Sequence, residues 1–157
     1  MHRLERQQRP THPTAQVRPA DRGAGTRRKG LFLEVTPDRL LPVTTRTVHG
    51  HQFDFRAPRA IGATQIDHAF TDLEFDDGGR TQLIARDPGG TGVGMAWDRA
   101  CPWLQVHAAD KPAPAANRLG LAVEPMTCPP DAFNSGQDLV QLGPGSSHQA
   151  GWSIFVA

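Results

Sequence analysis

The chain contains no tyrosine, two cysteines, and two lysines against fifteen arginines among its 157 residues. Cys101 and Cys128 have no metal-ligand spacing around them. A chain of this length needs no disulfide to hold its core, so a reducing cytoplasmic compartment fits best. No apolar stretch has the form of a signal-peptide h-region, and none is long enough to span a bilayer, so membrane insertion is not expected. Nor does any window of eleven or more residues keep a 3.6-residue apolar period without Pro or Gly interrupting it, which excludes a helical architecture. The excess of Arg over Lys, with abundant Gly, Pro and Ala, points to a GC-rich coding sequence and says nothing of function.

What is there divides unevenly. Residues 1–30 hold eight of the 17 basic residues and two of the 16 acidic ones, so a tail of about +6 precedes a body of about −5 over 31–157. The tail has no Phe, Trp or Tyr, and without apolar surface to offset its conformational entropy it is expected to be disordered. Its Arg, Pro, Thr and Gly are also what an out-of-frame or mis-started reading of GC-rich DNA yields. The boundary falls at Gly30, where Thr26-Arg-Arg-Lys-Gly30 gives way to Leu31-Phe-Leu-Glu-Val35.

Beyond it, strands are expected at Leu31–Val35, Leu41–Thr47, Thr81–Arg86, Gly92–Trp97, Trp103–His107, Leu119–Glu124, Leu139–Leu142 and His148–Val156. Asp77-Gly-Gly79 and Asp87-Pro-Gly-Gly90 supply hairpin chemistry, and Lys111–Asn117 reads as a loop. Many short strands with turns between them make an all-β sandwich.

Within this pattern one acid stands out. Alternation along Leu119–Glu124 puts Leu119, Leu121 and Val123 on one face and Gly120, Ala122 and Glu124 on the other. Small residues beside a lone carboxylate leave room for a ligand, as in a pocket floor; a solvated strand-end Glu is the plainer alternative. Along Trp103–His107 an indole, an amide and an imidazole share one face. Such a surface suits sugars, whose C–H groups pack on aromatic rings while amides read hydroxyls. In Gln65-Ile-Asp-His-Ala-Phe70, Asp67 lies on the side of an extended segment opposite Ile66, His68 and Phe70.

The stretch Ala122-Val-Glu-Pro-Met-Thr-Cys-Pro-Pro-Asp-Ala-Phe133 resembles the catalytic-base motif of the aldose 1-epimerase (galactose mutarotase) family. Ile66-Asp-His-Ala-Phe70 and Pro102-Trp-Leu-Gln-Val106 match further family motifs in the same order, and Leu142-Gly-Pro-Gly-Ser-Ser-His148 with Gly151-Trp-Ser-Ile154 resembles the last turn and strand. The likeness runs from about Leu31 to the C-terminus, the C-terminal part of the family's large two-sheet sandwich. It implies mutarotation of free hexoses such as galactose or glucose. There a general base takes the proton from the C1 hydroxyl and a general acid protonates the ring oxygen. By this resemblance Glu124 is the base, and Asp67 and Gln105 are substrate contacts. Trp103 joins them as the aromatic member of the face, while His107 is left outside the set.

The family draws its general acid from a His-Pro-aromatic motif. Thr11-His-Pro-Thr14 offers His12 in a comparable order but with Thr14 in the aromatic place. Mutarotation is therefore expected to be impaired, and a non-catalytic carbohydrate-binding remnant of the same fold is the alternative. No cofactor or metal is implied. His49-Gly-His51 has no third ligand linked to it, and Gly89-Gly-Thr-Gly-Val-Gly94 runs into a strand, not the helix a phosphate loop requires. The basic tail has no interleaved aromatics and belongs to no recognisable nucleic-acid module. The expected partner is thus a free hexose, with neither nucleic acid nor membrane, and sheet edges left open invite self-association.

Overall fold

The structure is a computed structural model that describes residues 14–18, 31–35 and 42–157. It is an all-β sandwich of two five-stranded antiparallel sheets. The first sheet has the order β10-β7-β6-β1-β4, built from β10 (Trp152–Val156), β7 (Gly92–Asp98), β6 (Arg80–Arg86), β1 (Thr14–Arg18) and β4 (Arg59–Ala60). The second has the order β3-β2-β5-β8-β9, built from β3 (Pro42–Thr47), β2 (Leu31–Val35), β5 (Asp67–Thr71), β8 (Trp103–His107) and β9 (Ala122–Met126). One buried cluster draws Leu83 and Trp97 from the first sheet and Phe32, Leu104 and Val106 from the second, so the core lies between them. Trp97 is fully buried and donates its indole N–H to the carbonyl of Cys101 at 3.1 Å, satisfying the one polar atom that burial strands there. The turn Asp98–Cys101 thereby carries the chain from β7 in one sheet to β8 in the other.

Several expectations from sequence need correction. Thr14–Arg18, inside the stretch expected to be disordered, forms β1 and pairs with β6 over its whole length. Backbone donors and acceptors alone can complete a ladder, whatever the side chains. The remainder of 1–30, His12 included, lies outside the described residues. Asp77-Gly-Gly79 makes a turn, but it joins β5 to β6 across sheets and is no hairpin; Asp87–Gly90 does close the β6–β7 hairpin, with Gly90 N–H bonded to Asp87 O at 3.0 Å. Leu139–Leu142 forms no strand.

The strand carrying Glu124 starts later and runs further than expected, pairing Ala122–Met126 with β8. Arg118 takes a left-handed backbone (φ 56°) before Leu119, which ends the preceding loop. Pro125 sits inside the strand, opposite Leu104. β9 is the last strand of its sheet, and an edge strand tolerates proline because one side of it has no ladder to feed. A single helical turn, α1 (Ala132–Ser135), follows.

At the other sheet's end, β10 pairs Trp152 with Trp97, Ile154 with Met95 and Val156 with Val93. Those three β10 side chains continue the core-facing side yet stay 60 %, 65 % and 87 % exposed. Phe155, on the opposite face, lays its ring over Gly94.

Candidate functional site

Residues paired across antiparallel strands point to the same face of a sheet. Gln105 of β8 lies opposite Glu124 of β9 on one side and Ala69 of β5 on the other, while His107 lies opposite Asp67. The register therefore gathers Asp67, Gln105, His107 and Glu124 on one face of three adjacent strands, the face turned away from Leu104 and Val106 in the core. Three of these were expected from sequence, and His107, set aside there, is the fourth.

Polar contacts organise the group. Gln105 Nε2 donates to Asp67 Oδ1 at 2.8 Å, and His107 Nδ1 stands 3.3 Å from the same oxygen. That contact fixes the amide's orientation, since turning it over would set two acceptors against each other. Gln105 Oε1 is thereby left buried with no hydrogen-bond partner among the described residues. A buried acceptor without a donor costs about 1–3 kcal/mol, so a ligand hydroxyl or a water donating there is favoured. Glu124 itself is exposed rather than enclosed as a pocket floor would be, and no described side chain hydrogen-bonds to it.

Trp103 does not present its ring as expected. It is 1 % exposed, packs with Ala69 and Met126, and donates its indole N–H to Asp138 Oδ2 at 2.8 Å. It lies on the predicted face but is covered there, and it ties the segment after α1 to the sheet.

Asp67 is placed by its surroundings. The Ile66 carbonyl accepts from Ala108 N–H at 2.8 Å, extending the β5–β8 pairing by one step. Just upstream, the Arg118 guanidinium donates to the carbonyls of Gly62 and Thr64 and to Asp110 Oδ1, binding the loop before β5 to the loop after β8. Sequence reasoning missed Arg118, because its acceptors are mostly backbone carbonyls 54 and 56 residues away.

His68 points to the other side of β5, into an aromatic cluster with ring centroids 4.5 Å from Phe53 and 6.0 Å from Phe32. Burial, reinforced weakly by His51, holds its imidazole below the ordinary value of 6.5 against the opposing pull of Asp67. A cleft of about 680 Å³ opens at this end of the sheet, lined among others by Glu34, Arg46, His51, Asp67, His68 and His107. It shares Asp67 and His107 with the polar face, whereas Gln105 and Glu124 are not among its walls. Among the described residues no group of three or more His, Cys, Asp or Glu has metal-binding geometry. No helix among them is long and apolar enough to cross a membrane.

A profile of the family described as aldose 1-epimerase matches residues 28–154. The chain belongs to the aldose 1-epimerase family. Its relative in Escherichia coli (strain K12), the uncharacterized protein YihR, is 37% identical over 117 residues, which are 73% of this chain and 34% of YihR. The chain thus spans about a third of the length of that curated relative. The family match begins two residues before Gly30, where composition changes, and takes in the whole polar face of this aldose 1-epimerase relative.

Proposed function

We propose that this chain interconverts the α and β anomers of a free hexose such as galactose or glucose at the face formed by Asp67, Gln105 and Glu124. The observation that carries the reading is their convergence: three motifs far apart in sequence supply polar groups to one face of three adjacent strands. Family membership supplies the reaction type. Glu124 acts as the base on the C1 hydroxyl, its exposed carboxylate accepting the proton directly. Asp67 and Gln105 read sugar hydroxyls, Asp67 as acceptor and Gln105 through its side-chain amide, whose Oε1 has no donor among the described residues. Binding without turnover is the second reading, favoured by the His-Pro-Thr order around His12 in place of the family's His-Pro-aromatic motif. Free thiols at Cys101 and Cys128 fit a cytoplasmic setting.

Polarimetry of freshly dissolved α-D-galactose and α-D-glucose tests the proposal. The chain should speed the approach to anomeric equilibrium, and Glu124→Gln should lower that rate about 100-fold or more, the usual scale of general acid–base catalysis. Saturable sugar binding with no acceleration favours the second reading. Neither binding nor acceleration refutes both.

A further inference from the structure

The polar face contains a second group able to move a proton. His107 pairs with Asp67 in the β5–β8 register, and its Nδ1 is 3.3 Å from Asp67 Oδ1. A proton on Nδ1 then faces a carboxylate, which selects that tautomer and leaves Nε2 to deal with a ligand. Nε2 has no partner among the described residues, and the His107 side chain is 32 % exposed beside the cleft it helps to line. An aspartate that orients one imidazole nitrogen while the other stays free is the arrangement by which the histidine of a Ser-His-Asp triad transfers protons.

Its position relative to Glu124 matters as much. Glu124 pairs with Gln105, and His107 follows two residues later on β8, so the two are diagonal neighbours on one face. Diagonal neighbours stand about 7–8 Å apart at the backbone. Glu124 and His107 are thus near enough on one face for a single ligand to lie across both. Gln105 lies between them in the register.

We propose that His107, oriented by Asp67, is the proton donor to the sugar's ring oxygen. This rests on the anomer-exchange reading above. The reaction starts with Glu124 as carboxylate and His107 as imidazolium. Glu124 takes the C1 hydroxyl proton, and the electrons of that O–H bond form the carbonyl. The bond from C1 to the ring oxygen breaks towards oxygen, which takes the Nε2 proton. The open aldehyde turns about the bond from C1 to C2. Neutral His107 then removes the proton from the same oxygen as it attacks C1, and Glu124 returns its proton to the carbonyl oxygen. No proton or electron is left over, and no cofactor is needed. Asp67 has a double part, orienting His107 and accepting from the sugar through its other oxygen.

The test measures mutarotation of α-D-galactose against pH for the full chain and for His107→Asn, Asp67→Asn, Glu124→Gln and the surface control His148→Asn. Side-chain ¹⁵N spectra of the histidines are recorded with and without galactose. His107→Asn should lower kcat about 100-fold or more with KM within a few-fold. Added imidazole should restore part of the rate, and His148→Asn should behave as wild type. In the spectra, galactose should move His107 Nε2, and Asp67→Asn should change the Nδ1 tautomer. If Glu124→Gln is inactive while His107→Asn retains kcat within about threefold, the donor role is overturned and the anomerase reading stands. A chain that turns nothing over overturns the donor role as well. Galactose shifts at the Gln105 side-chain amide would then preserve the binding-only reading, and their absence would end the site assignment altogether.

Discussion

Gly94 is the position where the packing is most sharply constrained. A Cβ built on it would lie 2.2 Å from Phe155 Cζ and 2.4 Å from Cε2. Carbon atoms at rest prefer about 3.5–4.0 Å, so Gly94→Ala requires the ring to retreat by more than an ångström. That ring belongs to β10, an edge strand whose one neighbour is β7. Overpacking of this kind costs about 1–3 kcal/mol, while alanine in a strand recovers about 0.5–1 kcal/mol of the conformational penalty of glycine. The expected net loss is about 1–2 kcal/mol, or roughly 3–8 °C in Tm for a domain of this size. Urea and thermal melts of Gly94→Ala, Phe155→Ala and the double variant would measure it. With the ring removed, Gly94→Ala should be neutral or slightly stabilising, giving a coupling of about 1–3 kcal/mol. An equal loss in both backgrounds, or a loss under about 0.5 kcal/mol in the presence of Phe155, would refute the reasoning.

Arg118→Met removes charge-assisted bonds to Asp110 and to the Gly62 and Thr64 carbonyls. A loss of about 2–4 kcal/mol is expected in urea melts, along with weaker galactose binding, because the loop ahead of Asp67 comes loose. His68 gives a pH signature. Its folded value lies below the unfolded 6.5, so the unfolded chain binds the extra proton first. Its contribution to stability is therefore complete above pH 6.5 and is lost as pH falls through 6.5 towards the folded value. Urea midpoints should drop over that window, and His68→Phe should flatten the drop. The open side of β10, with Trp152, Ile154 and Val156 uncharged and exposed, should drive self-association visible in light scattering. Ile154→Lys should return the chain to monomer without changing mutarotation.

Strands whose side chains answer to local alternation were legible in the sequence. Trp103–His107 alternates cleanly because one of its faces enters the core, and its boundaries match. Glu124 could be placed on a face but its strand could not be bounded, since Pro125 reads as a stop unless the strand is known to lie at an edge. Leu139–Leu142 has strand-like residues, yet a strand also requires a partner, which no local pattern supplies. Trp103 illustrates the same limit for the site. Alternation gives the side on which a ring projects, but its cover depends on Asp138, 35 residues away. His107 looked weakest because its chemistry depends on Asp67, 40 residues upstream, becoming its neighbour.

Glu124, the proposed base, is carried by the outermost strand of its sheet. β9 is anchored through β8 on one side alone. Whatever bridges Glu124 to Asp67 must reach across β8 and so acts as a clasp on β9. By linkage, a ligand that binds only the closed ladder makes opening of that ladder costlier by the free energy of binding. Binding in the proposed reaction and fraying of the edge would therefore draw on one equilibrium. Amide exchange along Ala122–Met126 should slow when galactose saturates the face, while the β6–β7 hairpin in the other sheet keeps its exchange rates.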